Sequence, residues 1–235
     1  MTTPDIIEKL KEMGSIPIRN IFIKHGAPEN SVYGVKVADL KTLIKSLKGQ
    51  QEIAMELYAS GISDAMYLAA LVADGNKMTT EQLHSWAEQA SWNMISEYSV
   101  PWVASENKHA LELGLTWIED PREHVASSGW CTLSCYLSVF PDESIDRKII
   151  SNLIERIEKS IHKSPNRVKY TMNGFLIATG VYVRDLNALI EQTTSQIGTI
   201  YVEMEGTSCK APDALTYIQK TVSRGPMKKK KTAKC

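Results

Sequence analysis

Apolar residues recur at three- and four-residue intervals along nearly the whole chain, and this pattern confines it to a helical fold. Over Val37–Leu47 the residues Val37, Leu40, Leu43, Ile44 and Leu47 share one face. Ile6–Met13 and Arg19–His25 predict two earlier helices, and His25–Ser31 predicts a loop. Thr79 and Gln82 stand at capping-box spacing, where hydroxyl and carboxamide satisfy each other's orphan amides. Asp120-Pro121 and Ser164-Pro165 each set a cap residue before proline, so helices are expected to start there. The one alternating stretch, Thr199–Met204, reads as a loop rather than a strand.

A second pattern lies over the first. Segments rich in small residues recur at Asp64–Ala73, Asn93–Ala104, His124–Leu133 and Arg167–Ala178. More polar amphipathic helices separate them, at Glu81–Gln89, His109–Ile118 and Arg147–Ile161. Alternating inner and outer helices of this kind are the mark of an α-solenoid, in which each pair buries its face against the next. An irregular helical bundle is the competing architecture. Pro101 removes an intrahelical donor and is expected to kink its segment after Tyr98.

Composition narrows the function classes. The 235 residues are enough to build a core without disulfides or metals. The four cysteines, Cys131, Cys135, Cys209 and Cys235, are too few for a disulfide scaffold and fit a reducing compartment. With no apolar span and no basic, apolar leader at MTTPDIIEKL, the chain is expected to be cytoplasmic and to have no membrane partner. Cys131 and Cys135 share a helix face without a completing ligand pair, and the five histidines show no ligand spacing. No metal and no cofactor are therefore expected.

Charge is unevenly spread. The 27 basic and 27 acidic residues cancel, but seven basic residues and no acid lie in residues 220–235, so residues 1–219 carry a net −7. The expected organisation is one helical repeat domain over residues 1–223 and a basic, disordered tail over 224–235. Such a tail either keeps a protein soluble or meets an anionic partner.

The small-rich segments also hold the chemistry. Trp92, Glu97, Tyr98 and Trp102 lie on one, Trp130 on the next, and Arg167, Lys169, Tyr170 and Phe175 on another. If these helices line a concave surface, their aromatic and polar residues line it too. Trp86 and Trp117 are expected in the core. His162, Lys163, Arg167 and Lys169 cluster beside a helix start, an arrangement that suits a phosphate.

The helix order, and Ser91–Val100 above all, resembles the bacterial DNA alkylation repair family of HEAT-like DNA glycosylases; Tyr33–Leu40 resembles that family's opening loop-to-helix motif. The resemblance runs over roughly residues 5–198. It implies a right-handed superhelix of HEAT-like repeats holding duplex DNA in a concave groove, and excision of cationic N3- or N7-alkylated purines. That reaction needs a carboxylate near the sugar to stabilise an oxocarbenium-like transition state, and aromatic faces to hold the cationic nucleotide.

Carried over residue by residue, the resemblance gives a mixed site. Trp92 matches the family's cleft tryptophan, but Ser96 stands where the catalytic aspartate belongs, leaving Glu97 as the candidate catalytic carboxylate. The groove arginine falls near Ser127 or Ser128, and the second cleft tryptophan near Phe175. The candidate DNA-binding residues are Trp92, Trp102, Trp130, Arg167, Lys169, Phe175 and Arg184. Three functions stay open: an alkylpurine glycosylase acting through Glu97, a non-enzymatic DNA-binding solenoid, and a protein-interaction solenoid.

Overall fold

The first helix begins where its cap is strongest: the Thr2 hydroxyl accepts from the Asp5 amide, and the Asp5 carboxylate accepts from the Thr2 amide at 2.8 Å. From there the computed structural model, which describes residues 1–204, 210–225 and 227–235, is helical, with no strand among those residues. The helices are α1 (Thr3–Met13), α2 (Ile16–Lys24), α3 (Val37–Leu47), α4 (Gln51–Ala59), α5 (Ser63–Val72) and α6 (Thr80–Gln89). A π-helix, Ile95–Ser99, runs directly into α7 (Val100–Ala104). Then come α8 (Ala110–Trp117), α9 (Glu123–Val139), α10 (Arg147–Ser160), α11 (Asn166–Tyr182), α12 (Asn187–Ile197) and α13 (Ala214–Val222). Thr199–Met204 is irregular, as its sequence predicts.

The layers follow the alternation in the sequence. The small-rich helices α5, the π-helix with α7, α9 and α11 pack in succession on one another, while α4, α6, α8 and α10 each back onto the inner helix of their own pair. The result is an α-solenoid whose core has no single centre. One apolar cluster runs from Ile6 to Val125 and a second from Ala110 to Ile218. Trp86 and Trp117 are both core, and Trp86 stacks on Tyr58 with ring centroids 3.8 Å apart. Buried Asp64 at the start of α5 accepts from the amides of Tyr33 (2.6 Å) and Val35 (2.8 Å), which clamps the loop ahead of α3.

Two expected caps sit elsewhere. The Thr79–Gln82 box forms as read. Ser164, however, donates its hydroxyl to the Ser160 carbonyl and does not cap α11. The amide of Arg167 in the first turn of α11 instead donates to the Glu123 carboxylate at 2.6 Å. Asp120 likewise lies outside α9, whose first residue is Glu123, and pairs with Arg122. The basic tail also departs from the free, solvated terminus expected of its composition. Residues 227–235 lie along the molecule, with the Lys230 amide donating to the Ser138 carbonyl at 2.8 Å. Cys209 lies outside the described residues.

Candidate nucleic-acid interface

Pro101 shapes the centre of the inner face. Its ring lacks the amide that an α-helix would need there, and the turn before it widens: the Val100 amide donates to the Ile95 carbonyl, five residues back. In such a turn residues five apart stand above one another. Trp92 stands ahead of this widened turn, its carbonyl accepting from the Ser96 amide four residues on at 2.9 Å, and Glu97 lies within the turn. Where the sequence predicts a kink after Tyr98, the structure has this π-turn over Ile95–Ser99.

Glu97 faces the inner surface, and it is not alone there. Its carboxylate accepts from Arg167 Nε at 2.7 Å and from Nη2 at 2.5 Å, a two-bonded pair between the π-helix and α11. Glu97 is buried and Arg167 largely sheltered, with side-chain exposures of 2% and 17%. Arg167 Cζ also lies 4.5 Å from the Tyr170 ring centroid, a cation–π contact. Burial works against the guanidinium charge, but the hydrogen bonds and charge of Glu97 outweigh it and raise the Arg167 pKa above its ordinary value.

Two cavities flank this pair. One of about 300 Å³ is lined by Phe22, His25, Trp92, Tyr98, Arg167 and Tyr170. The other, of about 270 Å³, is lined by Glu97, Tyr98, Trp102, Cys131, Tyr170 and Lys230. Tyr98 and Tyr170 belong to both and form the wall between them. Trp92 is held rigid, its Nε1 donating to the His25 carbonyl at 2.8 Å and its ring 5.2 Å from Phe22. Trp102 packs edge-on against Tyr67 and Tyr98. Tyr98 is 41% exposed; desolvation against this wall, with Tyr170, Cys131 and Glu97 nearby, pushes its hydroxyl pKa up to about 12, so it stays a hydrogen-bond donor at neutral pH.

The remaining sequence-predicted residues are not brought here. Trp130 and Phe175 are both 0% exposed and pack on each other at 5.4 Å, inside the second core cluster. The reason is angular: each lies 100° around its helix from a residue lining the smaller cavity, Cys131 and Gly174 respectively. Tyr170 and Tyr182 are the α11 rings that reach the cleft, and Tyr170 alone of the two lines both cavities. Lys169 is two residues from Arg167, on another side of α11, and Arg184 is exposed in the short turn after that helix; neither lines these cavities. The proposed phosphate site at the start of α11 is already taken by the Glu123 carboxylate, and His162 Nε2 contacts the Ile197 carbonyl at 2.9 Å. Among the described residues no cluster of three His, Cys, Asp or Glu could hold a metal ion, and no helix is long and apolar enough to cross a membrane.

A helical solenoid with an aromatic, charge-paired cleft on its inner face belongs to the class of α-helical repeat proteins. The family described as DNA alkylation repair enzyme matches residues 6–190, and this chain belongs to it. Its fold is that of the HEAT-like repeat DNA glycosylases. A solved structure described as representing "a new family of proteins related to the HEAT-like repeat DNA glycosylases with affinity for branched DNA structures" superposes with a TM-score of 0.90. That structure shares 31% sequence identity and covers 98% of each chain. The uncharacterized protein Lmo0209 of Listeria monocytogenes is 33% identical over 209 residues, spanning 87% of this chain and 90% of its own. The uncharacterized protein Lin0241 of Listeria innocua is 34% identical over the same length.

Proposed function

We propose that this protein binds DNA across its inner face and recognises branched or distorted structures without excising bases. One observation carries the reading: the carboxylate in the cleft is neutralised by a largely sheltered, two-bonded arginine. A glycosylase needs negative charge free to stabilise a developing oxocarbenium ion. Here the charge of Glu97 is spent on Arg167, whose own positive charge would oppose a cationic sugar. Tyr98, 41% exposed, and half-buried Tyr170 offer aromatic faces for unstacked bases, as expected where strands part at a branch, while Trp92 and Trp102, sequence-predicted DNA contacts, are buried behind them in the first core cluster. The affinity of the structural relative for branched DNA supports the same partner. Among the described residues the thiols of Cys131, Cys135 and Cys235 are free, which accords with a cytoplasmic setting.

The test compares a four-way junction with a linear duplex of the same sequence, together with a duplex carrying N7-methylguanine. Tighter binding of the junction, with no base release above the spontaneous rate, is expected. Release that Glu97→Gln abolishes would overturn the reading in favour of a glycosylase. Equal absence of binding to every DNA would overturn it in favour of a protein partner.

A further inference from the structure

The basic tail is fastened to the molecule at two points, each the C-terminal end of an inner helix. Lys229 Nζ donates to the Leu137 carbonyl near the end of α9 at 2.7 Å, and it lies 3.1 Å from Asp142 Oδ1. Lys234 Nζ donates to the carbonyl of Ala73, which ends α5, and to Glu106 Oε2 at 2.9 Å. Helix C-termini carry unpaired carbonyls and the negative end of the helix dipole, so an ammonium is well placed at both. The Lys234–Glu106 pair is largely sheltered, with exposures of 15% and 16%. Between the anchors Thr232 Oγ1 donates to Glu106 Oε1 at 3.0 Å, and Ala233 packs on the apolar cluster that contains Trp102. Cys235 Sγ ends the run 3.5 Å from the Tyr67 hydroxyl.

The lysines between and beside the anchors behave differently. Lys228, Lys230 and Lys231 are exposed. Lys230 lines the cavity that holds Glu97, Trp102 and Tyr170, and Lys231 lines a neighbouring cavity of about 440 Å³ beside Glu106. The body that carries the tail has a net charge of −7, and at this edge it presents Glu106, Asp142 and two helix C-termini. The five lysines of residues 227–235 outnumber those two carboxylates.

We propose that residues 227–235 are a docked strap that turns the acidic edge of the inner face into a phosphate-binding one. Lys229 and Lys234 anchor it, and Lys228, Lys230 and Lys231 meet the DNA backbone. The proposal rests on the DNA-binding reading above and deepens it, because it assigns the cationic surface to a segment whose composition reads as a free terminus.

Two measurements on the full chain test it. Trypsin cleavage after Lys228–Lys231 should be slow in the unaltered protein and several-fold faster in Lys234→Met and in Glu106→Gln, each of which loosens an anchor. Equal rates would overturn the strap. Junction binding is then followed against salt for Lys228→Ser/Lys230→Ser/Lys231→Ser, which keeps both anchors. Each phosphate contact contributes about −0.9 to the slope of log K against log salt, so the triple variant should flatten it by roughly 2 to 3. An unchanged slope, or tighter binding, would overturn the phosphate role and mark the tail as a segment that DNA displaces. No binding by the unaltered chain would overturn the proposed function and the phosphate role together. Slow cleavage that loosens in Lys234→Met would still separate that failure from a failure of the strap.

Discussion

The Glu97 carboxylate and the Arg167 guanidinium, seventy residues apart in the chain, meet in a two-bonded pair that joins the π-helix to α11. Neither charge could be sheltered there without the other. The pair therefore fixes the spacing of two inner helices while removing the free negative charge that base excision would use. This coupling of structure to function makes the pair the first place to perturb.

Arg167→Met should destabilise the fold by about 3–5 kcal/mol, because it strands a buried carboxylate, and should lower Tm by roughly 10 °C. Adding Glu97→Gln removes the stranded charge and should restore part of that loss. The double-mutant cycle, followed by urea unfolding, measures the coupling. Strictly additive losses would show that the two groups do not depend on each other.

What the sequence made legible was what neighbouring residues decide. The Thr79–Gln82 box, the helix Val37–Leu47 and the burial of Trp86 and Trp117 depend on contacts within a turn or on plain hydrophobic periodicity, and all stand as read. The cap of α11 was not legible, since Glu123 arrives from 44 residues away while Ser164 sits adjacent and turns elsewhere. Glu97 falls one position past the family's aspartate, and the backbone leaves it there, since the Trp92 carbonyl accepts from the Ser96 amide four residues on. Pro101 predicts a kink, and the structure has a widened turn there instead. The resemblance sets Phe175 at the family's second cleft tryptophan, but its position beside Gly174 on α11 turns that ring into the core.

Acid should weaken the fold through Asp120. Its pKa falls from an ordinary 3.8 to about 2, chiefly because of hydrogen bonds from the Arg122 side chain. The folded carboxyl thus binds its proton less tightly than the unfolded one. The pairing stabilises above the ordinary value and is lost as pH falls from about 4 to about 2. The stability difference between the unaltered chain and Asp120→Asn should be level above pH 4 and shrink below it. Urea titrations at stepped pH would reveal any other profile.

Two glycines should respond to alanine with opposite signs. At Gly129 an added Cβ would lie 2.7 Å from the Ile118 amide nitrogen, where α9 presses on the end of α8. Gly129→Ala should cost about 1–3 kcal/mol through overpacking. At Gly174 nothing lies within 4 Å of the added carbon, and α11 gains a better helix former. Gly174→Ala should stabilise by about 0.5–1 kcal/mol. Thermal melts of the two variants decide this, and a shared sign would mean that the helix spacing described here is wrong.

Two rings of α11, Phe175 and Tyr170, should separate stability from binding. Phe175 is fully buried against Trp130, so Phe175→Ala removes core contacts and should cost about 3–5 kcal/mol. Tyr170 stands at the wall between the two cavities, with the Arg167 guanidinium over its face. Tyr170→Ala takes away a stacking surface worth about 1–3 kcal/mol per base in single-strand recognition, which corresponds to a loss of junction affinity between roughly five- and a hundredfold. Because the ring is only half-buried, its removal should cost far less stability than that of Phe175. Tyr170→Phe keeps the ring and should keep most of the affinity. Junction binding and urea unfolding, measured on all three variants, form the test. If Tyr170→Ala bound as tightly as the unaltered chain while folding normally, the aromatic wall would have no part in DNA recognition, and the binding surface would have to be sought along the lysine edge alone.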